Sequence, residues 1–418
     1  MFNLITLVSL ICIGSVAFSI HRDIISPPII LVFSWCLPFL WLIVAESFQA
    51  HGYDVGIWGL YFVIGVLCFI IGFYSVYNKI KITPIALNII DRRRTTLYFK
   101  LFILFEIICL LYFVYDVVQF VNSHFQYNFW FTYKWNVSQG NYHDFFVIPY
   151  LRTASRVICC VMLVQYLTRG HDTRDTKWMV LQFVVTLVLN FLGQGRGGIF
   201  SFFIPLIITY LVIKRKSNRF IFRSLFIIFV LLLLIFAIYD SMKNPYANKQ
   251  ESFVQTFENY LCGGIVAFVN WAQLPHDYSF GIYTFRFLLA IMSALGFDVP
   301  VVNMAEDYVI NINGNVGNVY TFYKWYANDF GVGYALLCQI IIGAISGFLY
   351  KKLYSTNNEV ILIIYAQTFY ALFLQFFMDE YITMFSVWIQ IIFWTYLFLK
   401  TDIFYSNANQ GVINEKVN

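Results

Sequence analysis

Long apolar runs alternate with short polar links along almost the whole chain. The runs lie at residues 2–20, 26–45, 57–77, 97–119, 145–168, 178–192, 199–213, 224–240, 330–350, 359–377 and 385–400. A helix needs roughly 20 apolar residues to cross the hydrocarbon of a bilayer. The pattern therefore predicts an all-α, polytopic integral membrane protein with about eleven transmembrane helices, or twelve or more if re-entrant segments are counted. Two outward segments are long: residues 120–144, rich in Tyr, Trp, Asn and His, and residues 241–329, large enough to form a substantial extramembrane unit. Within the latter, 253–273 and 281–297 are apolar enough to make helices that lie on the membrane or re-enter it; the sequence leaves that choice open. Residues 1–400 read as a single transmembrane domain that includes this loop, and 401–418 as a polar, poorly ordered tail.

Composition agrees with the pattern. Of 418 residues, 60% are hydrophobic, 21% aromatic and 12% charged, and the mean hydropathy is +0.70. These values exclude an ordinary soluble domain. The net charge of +5 does not indicate nucleic acid, because the basic residues fall in short clusters between apolar runs. The eight cysteines contain no Cys-x-x-Cys pair and read as small buried hydrophobes, with no disulfide framework and no metal site. The apolar N-terminal run has no basic residue before it, which argues against a cleaved signal peptide.

The basic clusters assign an orientation. Lys79, Lys81 and Arg92–Arg94 share one side with Arg22, with Arg169, Arg174 and Lys177, and with Lys214–Lys216, Arg219 and Arg223. Lys351, Lys352, Lys400 and Lys416 fall on the same side, whereas the other receives only Lys134, Arg196, Lys243, Lys249, Arg286 and Lys324. By the positive-inside rule the N-terminus is outside and the C-terminus in the cytoplasm.

Candidate chemistry centres on the hexapeptide Gly193-Gln194-Gly195-Arg196-Gly197-Gly198, which links two apolar runs too short to span on their own. It reads as a glycine-rich turn that dips into the membrane edge. Gly195 and Gly197 would let backbone N–H groups approach a phosphate that Arg196 grips with its planar fork. The bland alternative is a hairpin whose arginine snorkels to the headgroups. Arg152 and Arg156, four residues apart on one helical face, lie inside the fifth run, where charge is costly. They either form ion bridges with Glu106 and Asp116 of the preceding run or line a cationic pocket. Asp329 and Glu258 are the candidate general bases among the outward carboxylates. The alternatives are a helix cap for Asp329, at the start of the ninth run, and a solvated carboxylate for Glu258, before a bend at Asn259–Gly264. Tyr283, Tyr320 and Trp325 are candidate sugar contacts, although rings of this kind also populate the membrane interface by default.

The chain resembles the O-antigen polymerases, the Wzy-type oligosaccharide repeat-unit polymerases of bacterial inner membranes. The resemblance rests on the order of short fragments. These are Ser26-Pro27-Pro28 leading to Trp35, Arg152 with Arg156, the Gly-Arg-Gly turn at 195–197, Tyr260–Gly264, Gly281–Phe285, Asn318–Thr321 and Asn328–Gly331. It implies a fold like that of C-type lipid-carrier glycosyltransferases, with a large periplasmic loop. The implied reaction transfers the growing glycan from undecaprenyl diphosphate onto a new lipid-linked repeat unit, in lipopolysaccharide O-antigen or related surface-polysaccharide biosynthesis. It implies no cofactor, and a flippase and a chain-length regulator as partners. On this reading Arg152, Arg156 and Arg196 hold the diphosphate, and Asp329 or Glu258 takes the acceptor hydroxyl's proton. The rival readings are a flippase or transporter of lipid-linked oligosaccharide, and an O-antigen ligase.

Overall fold

The computed structural model describes residues 1–48, 53–77, 93–95, 97–125, 128–138, 141–169, 173–194, 196–214, 217–224, 253–302, 309–310, 316–317, 319–356, 358–401 and 405–407. The predicted run 224–240 lies almost wholly outside them. The architecture is helical, with α1 Phe2–His21, α2 Pro27–Phe48, α3 Trp58–Tyr77, α4 Leu97–Ser123, α5 Phe129–Ser138, α6 Ile148–Arg169, α7 Thr173–Gln194 and α8 Arg196–Lys214. There follow α9 Phe253–Gln273, α10 Arg286–Ala294, α11 Tyr323–Phe330, α12 Val332–Thr356, α13 Glu359–Phe373 and α14 Phe385–Lys400. Among the described residues, seven helices are long and apolar enough to cross a membrane: α1, α2, α3, α4, α7, α8 and α12. This is a multi-pass membrane protein. Two antiparallel ladders are the only strands described: Arg93–Thr95 with Tyr405–Asn407, and Val309–Ile310 with Val316–Gly317. The first pairs residues 405–407, within the segment read as a polar tail, with another strand.

The chain forms two compact units. One comprises Met1–Thr83, Lys249–Lys352 and Thr368–Ser386; the other comprises Pro84–Asn248, Leu353–Gln367 and Val387–Asn418.

In the first unit, glycines let helices approach to backbone contact. A β-carbon on Gly72 of α3 would lie 2.0 Å from the carbonyl oxygen of Ile340 on α12, and one on Gly343 would lie 2.1 Å from that of Phe69. Gly347 meets Phe73 in the same way, at 2.4 Å. In lipid, where no hydrophobic drive brings helices together, such close approach recovers dispersion energy. Helix α9 is buried continuously from Leu261 to Val269. The bend expected at Asn259–Gly264 is therefore absent: both glycines are helical, and a β-carbon on Gly264 would lie 2.9 Å from the carbonyl oxygen of Phe376. Gly264 provides a contact surface where a turn was expected.

In the second unit, α6 is central. Residues 151–162 are all buried, although they include two arginines, a threonine and a serine. The helices α4, α7 and α8 pack around it.

Candidate functional site

The glycine-rich link is tighter than the sequence suggests. Helix α7 continues through Gln194 and α8 begins at Arg196, so a single residue separates them. Gly195 and the side chain of Arg196 lie outside the described residues. The two flanking glycines have opposite surroundings. Gly197 has nothing within 4 Å of where a β-carbon would be, whereas at Gly193 that position is 1.7 Å from Arg152 Cζ and 2.1 Å from its Nε. Gly193 is small because a guanidinium lies across it, and Gly197 opens onto free space. The fold therefore brings the end of α7 against Arg152 of the fifth apolar run.

Arg152 is 3% exposed, a depth at which a charge needs a partner. Its partner is Asp144, in the segment that leads into α6, with Nη2 2.7 Å from Oδ2. The Phe113 ring lies 5.4 Å from the guanidinium carbon. The ion pair is a charge contact without hydrogen-bond alignment, so Nε and Nη2 are both left with no hydrogen-bond partner. Arg156, one turn on, reaches Thr153 Oγ1 at 3.4 Å through Nη2. The expected bridges between Arg152 and the α4 carboxylates do not form. Glu106 accepts from Ser155 Oγ at 2.5 Å, and Asp116 accepts from the Tyr142 hydroxyl at 2.7 Å. Burial and this contact with Asp116 push the Tyr142 phenol well above its ordinary range. Hydroxyls thus donate to the α4 carboxylates, and the Arg152 guanidinium is paired with a loop carboxylate.

The three candidate sugar contacts cluster in the first unit. Tyr320 and Trp325 are buried beside Ala267, and Tyr283 and Trp271 pack against them. The Tyr283 and Trp325 rings lie 4.6 Å apart, and those of Tyr320 and Trp325 lie 5.8 Å apart. Lys324, fully buried, places Nζ 3.7 Å from the centre of the Trp325 ring and 4.2 Å from that of Tyr320. Such a desolvated cation over two ring faces holds both rings in place.

Asp329 belongs to the same cluster, but it caps no long helix. It lies near the end of α11, and Gly331, at φ +87°, separates it from α12. Its two oxygens accept the backbone N–H groups of Tyr283 at 3.2 Å and Thr284 at 2.6 Å. The carboxylate thereby clamps the turn that carries Tyr283. Glu258 is buried on α9, 3% exposed, and is not the solvated group of the bland alternative.

Three residues of weight escaped the sequence reading. Asp144 drew no reading of its own, and Lys324 was read only as a basic residue of the outward side. Asp379 follows the tenth run and accepts the Tyr326 hydroxyl at 2.7 Å, the Thr383 hydroxyl at 2.6 Å and the Tyr381 and Thr383 backbone N–H groups at 3.0 Å. The adjacent acidic pair Asp379-Glu380, in a link only a few residues long, was the available signal.

Fold and site together define a helical multi-pass membrane protein with a buried cationic centre in one unit and an aromatic cluster in the other. No protein-family model matches the chain, and neither curated proteins nor solved structures give a significant match.

Proposed function

We propose that this protein is an O-antigen-type polymerase, a membrane glycosyltransferase that passes a glycan from undecaprenyl diphosphate to a new lipid-linked repeat unit at the periplasmic face of the bacterial inner membrane. The proposal includes eleven membrane spans, an N-terminus outside, a cytoplasmic C-terminus, and 241–329 as the large periplasmic loop. A flippase delivers the units and a chain-length regulator acts beside it.

One observation carries the reading: Arg152 is buried in a membrane unit, lies on Gly193 at the glycine-rich link, and keeps two nitrogens without hydrogen-bond partners. When a sugar leaves a diphosphate, negative charge accumulates on the phosphoryl oxygens. Fixed guanidiniums in a dehydrated pocket stabilise that charge more in the transition state than in the ground state. Arg152, Arg156 and Arg196 are assigned to this task, together with the backbone N–H groups of Gly195 and Gly197. Tyr283, Tyr320 and Trp325 are the assigned sugar contacts, rings of the type that stacks on sugars; Tyr283 is the partly buried one of the three. Asp329 and Glu258 are the assigned base candidates for the acceptor hydroxyl.

The test is complementation of cells that lack the gene, read as the ladder of glycan lengths on a gel. Wild type restores a ladder. Arg152→Lys, whose point charge cannot reproduce the bidentate fork, and Arg196→Ala, which removes the guanidinium, are each expected to leave single repeat units. Full ladders from both variants would reject the assignment. The buried polar chain Glu106–Ser155 with Gln182, Thr186 and Cys159 favours a second reading, a carrier of lipid-linked oligosaccharide. The same cells distinguish the readings, because loss of a carrier traps units on the cytoplasmic face, while loss of a ligase leaves none attached.

A further inference from the structure

The side-on edge of a guanidinium is formed by Nε–H and one Nη2–H, and it is the pair that grips a carboxylate or phosphate with two parallel hydrogen bonds. In Arg152 these two nitrogens are the ones without hydrogen-bond partners. Asp144 Oδ2 lies 2.7 Å from Nη2, and the contact makes no hydrogen bond. The two sides of the pair are unequal: the Arg152 side chain is 4% exposed and that of Asp144 is 17% exposed. The arginine is held within a packed helix and pressed on Gly193. The aspartate sits in a short non-helical segment, at residues 141–147, that precedes α6.

A buried arginine cannot be left without an anion, because an uncompensated charge at this depth costs several kcal/mol. It also cannot bind a ligand anion strongly while its best edge is fully satisfied by protein. An internal carboxylate that meets Nη2 without a hydrogen bond, from a non-helical segment, meets both conditions. We propose that Asp144 is a place-holder for a phosphoryl group: it neutralises Arg152 while the site is empty and is displaced when a diphosphate takes the Nε/Nη2 edge. This inference rests on the reading of Arg152 as a diphosphate ligand. It adds an exchange of anions at that residue, with Asp144 as the competing group.

The apparent dissociation constant of such a site is the intrinsic one divided by the fraction of molecules whose edge is available. If Asp144 holds the edge about nine-tenths of the time, removing its charge tightens binding about tenfold. The experiment measures binding of inorganic pyrophosphate and of farnesyl diphosphate to the full-length protein in detergent, for wild type, Asp144→Asn, Arg152→Gln and the double variant. Asp144→Asn is expected to bind both probes about tenfold more tightly, and both Arg152→Gln proteins to lose binding. Tightening for farnesyl diphosphate alone would still support the exchange and would show that the ligand is a lipid diphosphate.

Unchanged or weaker binding by Asp144→Asn, with binding still lost in Arg152→Gln, would overturn the place-holder and leave the diphosphate site intact. Undiminished binding by Arg152→Gln would overturn both. Hydrogen–deuterium exchange on the wild-type protein tests the same point if Asp144→Asn fails to fold. Saturating pyrophosphate is expected to speed exchange across residues 141–147, as the segment loses its anchor on α6. Unchanged exchange at saturation would overturn the place-holder.

Discussion

Gly193 and Arg152 occupy the same space to within a methyl group: a β-carbon at position 193 would lie 1.8 Å from Arg152 Nη2. The clash falls on the far end of a flexible side chain, so the guanidinium is the group that must move. Gly193→Ala is therefore expected to lower pyrophosphate binding by roughly tenfold or more. Gly197→Ala, with open space around it, is expected to lower it much less. Equal effects from the two variants would mean that glycine acts here through flexibility, not space.

Asp329 separates a structural role from a catalytic one. Replacement by Ala leaves two backbone N–H groups without their acceptor, at about 1–3 kcal/mol for each buried group. Asp329→Asn keeps one carbonyl acceptor and is expected to lose less stability. If Asp329 is only the clamp on the Tyr283 turn, glycan ladders follow thermal stability across the two variants. If it is the base, Asn abolishes the ladder while the melting temperature changes little.

The α3–α12 crossing is expected to tolerate no side chain at Gly343. A β-carbon there lies 2.1 Å from the Phe69 carbonyl oxygen, so Gly343→Ala must push the helices apart. Thermal unfolding in detergent is expected to show a loss of about 1–3 kcal/mol. An unchanged midpoint would mean that the helices do not cross at this register.

Tyr53 provides a pH signature in the first unit. Its hydroxyl donates to Asn270 Oδ1 at 2.8 Å, and burial pushes its phenol up to about 12. The folded protein therefore holds this proton at pH values where the unfolded chain, titrating near 10, has released it. Stability from this group is full below pH 10 and falls as pH rises from 10 towards 12. The wild-type melting temperature is expected to drop across that window, and Tyr53→Phe to remove part of the drop. Parallel curves for the two proteins would contradict the buried assignment.

Much of the fold was legible because a membrane span is encoded locally. Twenty apolar residues in a row satisfy their own backbone only as a helix, and α1, α3, α4 and α12 appear within a few residues of their apolar runs. Errors concentrate at glycine. The expected loop at 193–198 is almost entirely helix, and the expected bend at 259–264 is the middle of α9. Glycine marks either a turn or a place where something large lies close, and composition does not tell these apart. The pair Gly343 and Gly347, four residues apart, was a visible sign of the second use.

The candidate site shows the same division. Arg152 was recognisable as costly charge within an apolar run, and Tyr283, Tyr320 and Trp325 as rings suited to sugar. Their partners were not recognisable. That Asp144, and neither Glu106 nor Asp116, answers Arg152 depends on how α6 is rotated and where its leading segment turns back.

The sequence by itself determined that this chain is helical and crosses a membrane repeatedly, because hydrophobicity and backbone satisfaction act over neighbouring residues. Only the tertiary structure decided which charges meet, which glycines are contact surfaces, and that Asp329 clamps a turn. Those outcomes depend on distances between segments far apart in the chain, and no local pattern records them.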